Sequence, residues 1–146
     1  MHLSVQSDAF DIGAESAAFA KSAKGAGAVV TFTGLVRDNG GTLTAMEIEY
    51  YPGMTERAIS TIMGQTMARW SLTDALVIHR HGHLVGGDPI MMVATAAPHR
   101  ADAFAAAEFL MDYLKSRAPF WKKELGPDGA TWVAAKDEDE VALTRW

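Results

Sequence analysis

Residues 99 to 124, HRADAFAAAEFLMDYLKSRAPFWKKE, leave the chain little choice of local structure. At 100° per residue, Ala103, Phe104, Ala107, Leu110, Met111 and Leu114 fall into one broad apolar stripe, the mark of an amphipathic helix that must bury that face. Pro119 stops the helix, because proline has no backbone N–H and restrains the residue before it. Cations gather at both ends: His99 and Arg100 precede the first turn, Lys115 sits at the edge of the stripe, and Lys122 and Lys123 follow the proline. In a chain of formal charge −5, this local positive charge calls for an anionic ligand or nearby carboxylates.

Lys115 has two readings. Its stem can lie along the apolar stripe while its ammonium pairs with Asp112 on the surface. Alternatively it stands at the lip of a pocket, where partial burial tunes the amine for proton transfer or for attack on an activated carbonyl. The pattern leaves both open.

The 146 residues suit a single domain with a substantial core, and 49% apolar against 21% charged residues is ordinary for a folded globular chain. No apolar run approaches the roughly 20 residues that span a bilayer, and the N-terminus has no signal-like apolar region, so a cytosolic protein is expected. With no cysteine, disulfides, thiolate-bound zinc and a cysteine nucleophile are excluded. Sulfur chemistry would need sulfur brought by a partner. The acidic balance weighs against a nucleic-acid role.

Before the helix, alternation and turn signals predict mostly strands. His2 to Ser7 reads as a short strand and Ala14 to Lys21 as a small helix. Ala28 to Val36 is apolar on both alternating sets, as expected of a buried strand, and ends in the turn Arg37-Asp38-Asn39-Gly40-Gly41. Arg37 is then either a strand-end charge paired with Asp38 or a cation at the mouth of a site. Thr44 to Tyr51 alternates cleanly and is expected to run antiparallel to the preceding strand. Met54 to about Trp70 has helical spacing.

Asp74 to Gly82 reads as a strand on which His79, His81 and His83 would project from one face, as metal-binding imidazoles do. No second cluster of ligands follows at matching spacing, so no metal is expected. Arg80 points the other way, toward an ion pair or an interface. Leu84 to Asp88 is predicted as a turn and Pro89 to Ala97 as an apolar strand. Beyond the long helix, Phe120-Trp121 should anchor the chain in the core and aim Lys122. Thr131 to Ala135 reads as a last strand. The acidic tail reads as a solvated face or a helix start, and Arg145-Trp146 either docks or stays disordered.

No Gly-rich phosphate loop is present. Arg37, His99, Arg100, Lys115 and Lys122 all stand at element ends or edges. That set suits an anion held by guanidinium and imidazolium groups with lysines at a reacting centre. The residues alone therefore indicate a binder of, or an enzyme acting on, a phosphorylated small molecule.

Six blocks in order, FTGLVRDNGG (32–41), EYYPGMTERA (49–58), IHRHG (78–82), HRADAF (99–104), MDYLKSRAPFWKKE (111–124) and DGATWV (128–133), together resemble the large, catalytic subunit of molybdopterin synthase, the MoaE family. The resemblance covers most of the chain. It implies an α+β fold of α/β hammerhead type, an antiparallel or mixed sheet covered by amphipathic helices in one domain over residues 1–146. It further implies a homodimer with a small ubiquitin-like sulfur-carrier subunit at each end, forming a heterotetramer. The carrier's C-terminal Gly-Gly thiocarboxylate threads into a pocket. The implied reaction of molybdenum cofactor biosynthesis converts cyclic pyranopterin monophosphate (precursor Z) into molybdopterin by adding two dithiolene sulfurs. No resident cofactor is implied.

On this resemblance the lysine of the DYLK block, Lys115, and the first lysine of the WKKE block, Lys122, are the expected catalytic pair. Lys115 is expected in proton transfer or a transient link to the carrier's terminal carbonyl, and Lys122 in stabilising negative charge. Arg37, His99 and Arg100 match the substrate-binding pocket for the pterin phosphate, with the His-Arg pair supplied by the other protomer. Phe120 departs from the aliphatic residue found in many relatives. Two other classes compete: a non-catalytic module for a ubiquitin-like tail, and a metal-dependent hydrolase built on His79, His81 and His83.

Overall fold

The computed structural model describes residues 1–134 and 136–146. Two four-stranded sheets carry the architecture. The first contains β1 (His2–Gln6), β4 (Asp74–Arg80), β6 (Pro89–Ala97) and β2 (Ala28–Leu35) in that order. Its first pair is parallel and the others are antiparallel. The second is wholly antiparallel, in the order β5 (Gly82–Val85), β3 (Ala45–Tyr50), β7 (Phe120–Gly126), β8 (Gly129–Val133). The fold is α+β.

Helices cover both faces of the first sheet, which explains why β4 and β6 are apolar on both alternating sets. On one face, α1 (Ile12–Ser22) packs Phe19 and Ala23 against Leu76, Ile78, Met92 and Ala94. On the other, α2 (Met54–Arg69) and α3 (Arg100–Ser116) bury Ile59, Met63, Ala103 and Leu110 against Val77 and Val93. Two buried hydroxyls tie helices to strands. Thr95 donates to the Ala103 carbonyl at 2.7 Å, and Thr55 donates to the Pro119 carbonyl at 3.0 Å.

Several sequence expectations are corrected. The strand from Ala28 is an edge strand, not a buried one: Val29, Phe32 and Leu35 are 39%, 41% and 55% exposed. Its apolar composition on both sets misled, since each face is covered only in part, by α3 on one side and by α1 on the other, and among the described residues no strand lies beyond it. β3 does not pair with β2. It lies in the second sheet between β5 and β7, because the turn after Leu35 leads the chain away from its own sheet. The segment predicted as a turn after His83 is partly strand β5, and the turn itself is confined to Gly86-Gly87-Asp88. In α3, Ala106 is buried while Phe104 is 62% exposed, so the stripe is rotated from the expected one. Trp121 is exposed and does not anchor β7; Phe120 alone packs against the core. The last strand ends at Val133, and Ala135 lies outside the described residues.

The three alternating histidines do not share a face. The strand ends at Arg80, and Gly82, at φ 92°, redirects the chain into the other sheet. His79 is buried in the first sheet, His81 packs on Tyr50 with ring centroids 4.3 Å apart, and His83 donates to Glu47 at 2.6 Å. Arg80 is buried. Its guanidinium donates to the Ser7 carbonyl at 3.0 and 3.2 Å and to Pro89 at 3.4 Å, with Asp88 4.0 Å away.

The C-terminal tail docks. A short helix α4 (Asp137–Ala142) leads into a 3-10 turn, Leu143–Arg145, that lies on α3. Arg145 bonds Asp112 at 3.1 and 3.2 Å and pairs with Glu108 at 2.8 Å, and the Trp146 indole donates to Asp112 at 2.6 Å. The Trp146 ring meets Trp70 and Phe109 edge-on.

Candidate functional site

Where the first sheet, the second sheet and the end of α3 meet, a cavity of about 420 Å³ opens. Charged side chains from four directions line it. Arg37 comes from the loop after β2, Lys115 from the last turn of α3, Lys122 and Glu124 from β7, and Lys136 and Asp139 from the C-terminal segment. Alternation along β7 explains why Phe120, Lys122 and Glu124 share one face, and Thr55 holds the carbonyl immediately before that strand.

The surface pair between Lys115 and Asp112 does not form. Asp112 is occupied by Arg145 and Trp146, and among the described residues Lys115 has no ion-pair partner. Asp38 likewise does not pair with Arg37. Its carboxylate accepts from the Gly40 N–H at 3.1 Å, and its carbonyl accepts from Gly41 and Leu43. Both cations are left to face the cavity.

A smaller cavity of about 70 Å³ adjoins the first. Its walls are apolar, with Phe32, Met91 and Met111 among them, apart from Lys115, Lys122 and His79. Burial, reinforced by the Lys115 charge and opposed by Asp139, brings the Lys122 amine down to about 8. His79 is 2% exposed, and burial together with the Lys122 charge holds its conjugate acid down to about 3. Its ring is neutral at physiological pH.

His99 and Arg100 are not part of this cavity. They line a separate hollow of about 500 Å³ with Gly27, Ala28 and Phe104, at the opposite end of α3. At 1.5 Å rise per residue, Arg100 and Lys115 stand roughly 22 Å apart along the helix axis. Within one chain, therefore, Arg37, Lys115 and Lys122 come together and the His-Arg pair does not join them.

The sequence reading missed three charged lining residues. Glu124 was accessible from its two-residue spacing to Lys122. Lys136 and Asp139 were not, because they reach the cavity through the return of the C-terminal segment onto α3, where Ser116, Arg117 and Asp112 hold it. His79 was noticed for the wrong reason, as a possible metal ligand. Among the described residues, no group of three or more histidine, aspartate or glutamate side chains is placed to hold a metal ion.

Comparison with known proteins shows the family and the fold. The family model described as MoaE protein matches residues 5–117. The chain is 68% identical over 146 residues, all of both chains, to the molybdopterin synthase catalytic subunit of Cereibacter sphaeroides. It superposes with TM-score 0.83 on the molybdopterin biosynthesis MoaE protein from Burkholderia ambifaria, at 50% identity, covering 99% of this chain and 97% of the other. A more distant likeness of fold, TM-score 0.77 at 20% identity over 92% and 90% of the two chains, is to a Helicobacter pylori structure described as the protein-protein complex of subunits 1 and 2 of molybdopterin-converting factor. A family model that spans residues 5–117 and a relative 68% identical over the full length show that the chain belongs to the MoaE family of molybdopterin synthase catalytic subunits.

Proposed function

We propose that the cavity lined by Arg37, Lys115 and Lys122 is the sulfur-transfer centre of this subunit. Its substrates would be cyclic pyranopterin monophosphate and the thiocarboxylated C-terminus of a small ubiquitin-like carrier. Sulfur leaves the carrier's terminal acyl carbon for the pterin side chain, where it takes the place of an oxygen substituent. Water takes the place of sulfur on the acyl carbon, so the tail ends as a carboxylate, and two such transfers build the dithiolene. The observation that carries this reading is that two lysines from different elements share one cavity, with one amine brought close to neutrality by burial.

Lys122, at about 8, is mostly protonated near pH 7 yet can give up its proton without a large penalty. It therefore serves both to stabilise negative charge on the tail's carbonyl oxygen and to pass a proton. Lys115, which has no carboxylate partner among the described residues, stands ready to assist proton transfer or to link transiently to that carbonyl. Arg37 supplies a guanidinium suited to a phosphate.

His99 and Arg100 serve the phosphate in the cavity of a second copy, which accounts for their distance from Lys115 in their own chain. The exposed apolar edge formed by Val29, Phe32 and Leu35 supports pairing of two copies. The carrier subunit is supported by the two-subunit complex described for Helicobacter pylori.

The test is a reconstituted reaction of Lys115→Ala and Lys122→Ala variants with thiocarboxylated carrier and the pterin. Each should still bind carrier while dithiolene formation falls by at least about 100-fold. Full product formation by either variant would remove that lysine from the centre. Carrier binding without turnover by the wild-type protein would reduce the chain to a binding module.

A further inference from the structure

His79 is oriented more tightly than a core histidine needs to be. Its Nδ1 lies 2.8 Å from the Arg80 carbonyl, and a carbonyl only accepts, so Nδ1 carries the hydrogen and Nε2 is a bare acceptor. Phe120 stacks on the ring at 3.7 Å with planes 13° apart, which prevents it from turning. Among the described residues no group donates to Nε2, and no buried side-chain nitrogen or oxygen is sealed without a partner. Nε2 therefore opens on the small cavity. Of the side chains lining that cavity, His79 alone offers a nitrogen or oxygen acceptor, and two of the others are Lys115 and Lys122.

We propose that His79 is a positioning residue for the reacting lysine: its fixed Nε2 lone pair draws one N–H of Lys122 toward the small cavity through one water. The remaining hydrogens or lone pair of the amine then point into the main cavity, toward the substrates. This rests on the reading of Lys122 as part of the sulfur-transfer centre. The small cavity has room for about two waters and none for a pterin, so it suits an orienting contact rather than a second substrate.

His79 holds the proton donor and does not take its proton. Burial and the neighbouring Lys122 charge hold His79 well below Lys122, so the proton stays on the lysine. A partly desolvated ammonium gains from an aimed acceptor, so His79 should favour the charged form of Lys122. The other charged groups around Lys122 are Lys115 from α3, Arg37 from the loop after β2, Glu124 on its own strand, and Lys136 and Asp139 from the C-terminal segment. All are left unchanged by substitution at position 79.

The experiment titrates Lys122 in the full-length subunit by ¹³C NMR of its ε-carbon, in wild type, His79→Asn and His79→Gln. Asparagine retains an amide able to reach the Arg80 carbonyl but places nothing at the Nε2 position, whereas glutamine brings an acceptor there. Lys122 should titrate lower in His79→Asn by about one unit and return toward wild type in His79→Gln. The limb of the sulfur-transfer pH profile should move by the same amount. An unmoved Lys122 in His79→Asn, or an equal shift in both variants, overturns the proposal.

Should the variants fail to fold, ¹⁵N NMR of wild-type His79 decides, because a protonated Nε2 between about pH 6 and 8 overturns it without any substitution. The titration needs no turnover. A dispensable Lys122 would defeat the functional reading and leave the His79–Lys122 contact without a catalytic role, whereas an essential Lys122 with an unmoved titration would defeat this proposal alone.

Discussion

Phe120 lies flat on the buried ring of His79, ring centroids 3.7 Å apart and planes 13° apart. The contact joins the first residue of β7 to the penultimate residue of β4, and so fastens the two sheets together beside the lysine-lined cavity. Its consequence is a dependence of stability on acid. Burial holds native His79 at about 3, while the unfolded residue titrates near its ordinary 6.5.

Between those two values the unfolded chain binds the extra proton, so the stability contributed by neutral His79 is complete above pH 6.5 and is lost as pH falls toward 3. From pH 6.5 to 4.5 the loss is on the order of 2–3 kcal/mol. Denaturant unfolding of wild type and His79→Gln at both pH values measures it. The wild type should lose more stability than the variant by about that amount, and equal losses would show that this imidazole is not the acid-sensitive group.

Lys122 should cost the fold stability. Its amine titrates at about 8 in the native chain against an ordinary 10.5. Below pH 8 both states are protonated and the penalty of burying the charge is fully present. Across pH 8 to 10.5 the unfolded chain holds the extra proton, so stability from this group rises with pH. The penalty is on the order of 3 kcal/mol at most, because the side chain keeps some contact with water. Lys122→Met, similar in length and uncharged, should therefore be more stable at pH 7 by about 1–3 kcal/mol, seen as a rise of several degrees in Tm. A lower Tm would mean that Lys122 makes structural contacts outweighing its burial.

The elements whose side-chain pattern reports burial were legible from the residues. Pro89 to Ala97 was read with its observed bounds, and α2 and α3 were located within a residue or so, since an apolar stripe with a helix-stopping proline admits few alternatives. Pairing was less legible. Nothing local says that β3 leaves its predecessor for another sheet, because the loop Arg37 to Thr44 can lead the chain either way. Ala28 to Val36 looked buried because composition does not distinguish a strand covered by its own chain from one whose apolar face is left at an edge. At the site, Arg37, Lys115 and Lys122 could be gathered through the family resemblance. Asp139 and Lys136 could not, because their placement depends on long-range contacts of Ser116, Arg117 and Asp112 with the C-terminal segment, which no local pattern announces.

The His99-Arg100 end of α3 is set by a close backbone approach. A Cβ at Gly27 would lie 2.3 Å from the Pro98 carbonyl oxygen, nearer than any side-chain carbon can sit. The Gly27 N–H also donates to the Ala97 carbonyl at 2.9 Å, so the two segments cannot separate cheaply. Gly27→Ala should destabilise the protein by about 2–4 kcal/mol and displace Pro98 with the helix start behind it. Amide chemical shifts should change at residues 97–101 and remain unchanged around Lys122. A variant as stable as wild type with unmoved resonances at 97–101 would show that the approach is loose.

Trp146 closes the C-terminal segment onto α3, and its loss should be felt inside the cavity. The indole donates to Asp112 at 2.6 Å and the ring meets Trp70 at 5.6 Å and Phe109 at 5.5 Å, both edge-on. Nearer the cavity, the segment is held by Ser116 donating to the Asp139 carbonyl at 2.9 Å and by Arg117 bonding Glu140. Removing the aromatic anchor in Trp146→Ala should cost about 1–3 kcal/mol and speed amide exchange across residues 137–145 while α3 stays protected. Asp139 would then spend less time beside Lys122. Since that carboxylate raises the Lys122 pKa, the lysine should titrate below its wild-type value of about 8. Unchanged exchange in the segment would mean that the contacts of Ser116 and Arg117 suffice to hold it. Faster exchange with an unmoved Lys122 would mean that Asp139 has no electrostatic hold on the lysine.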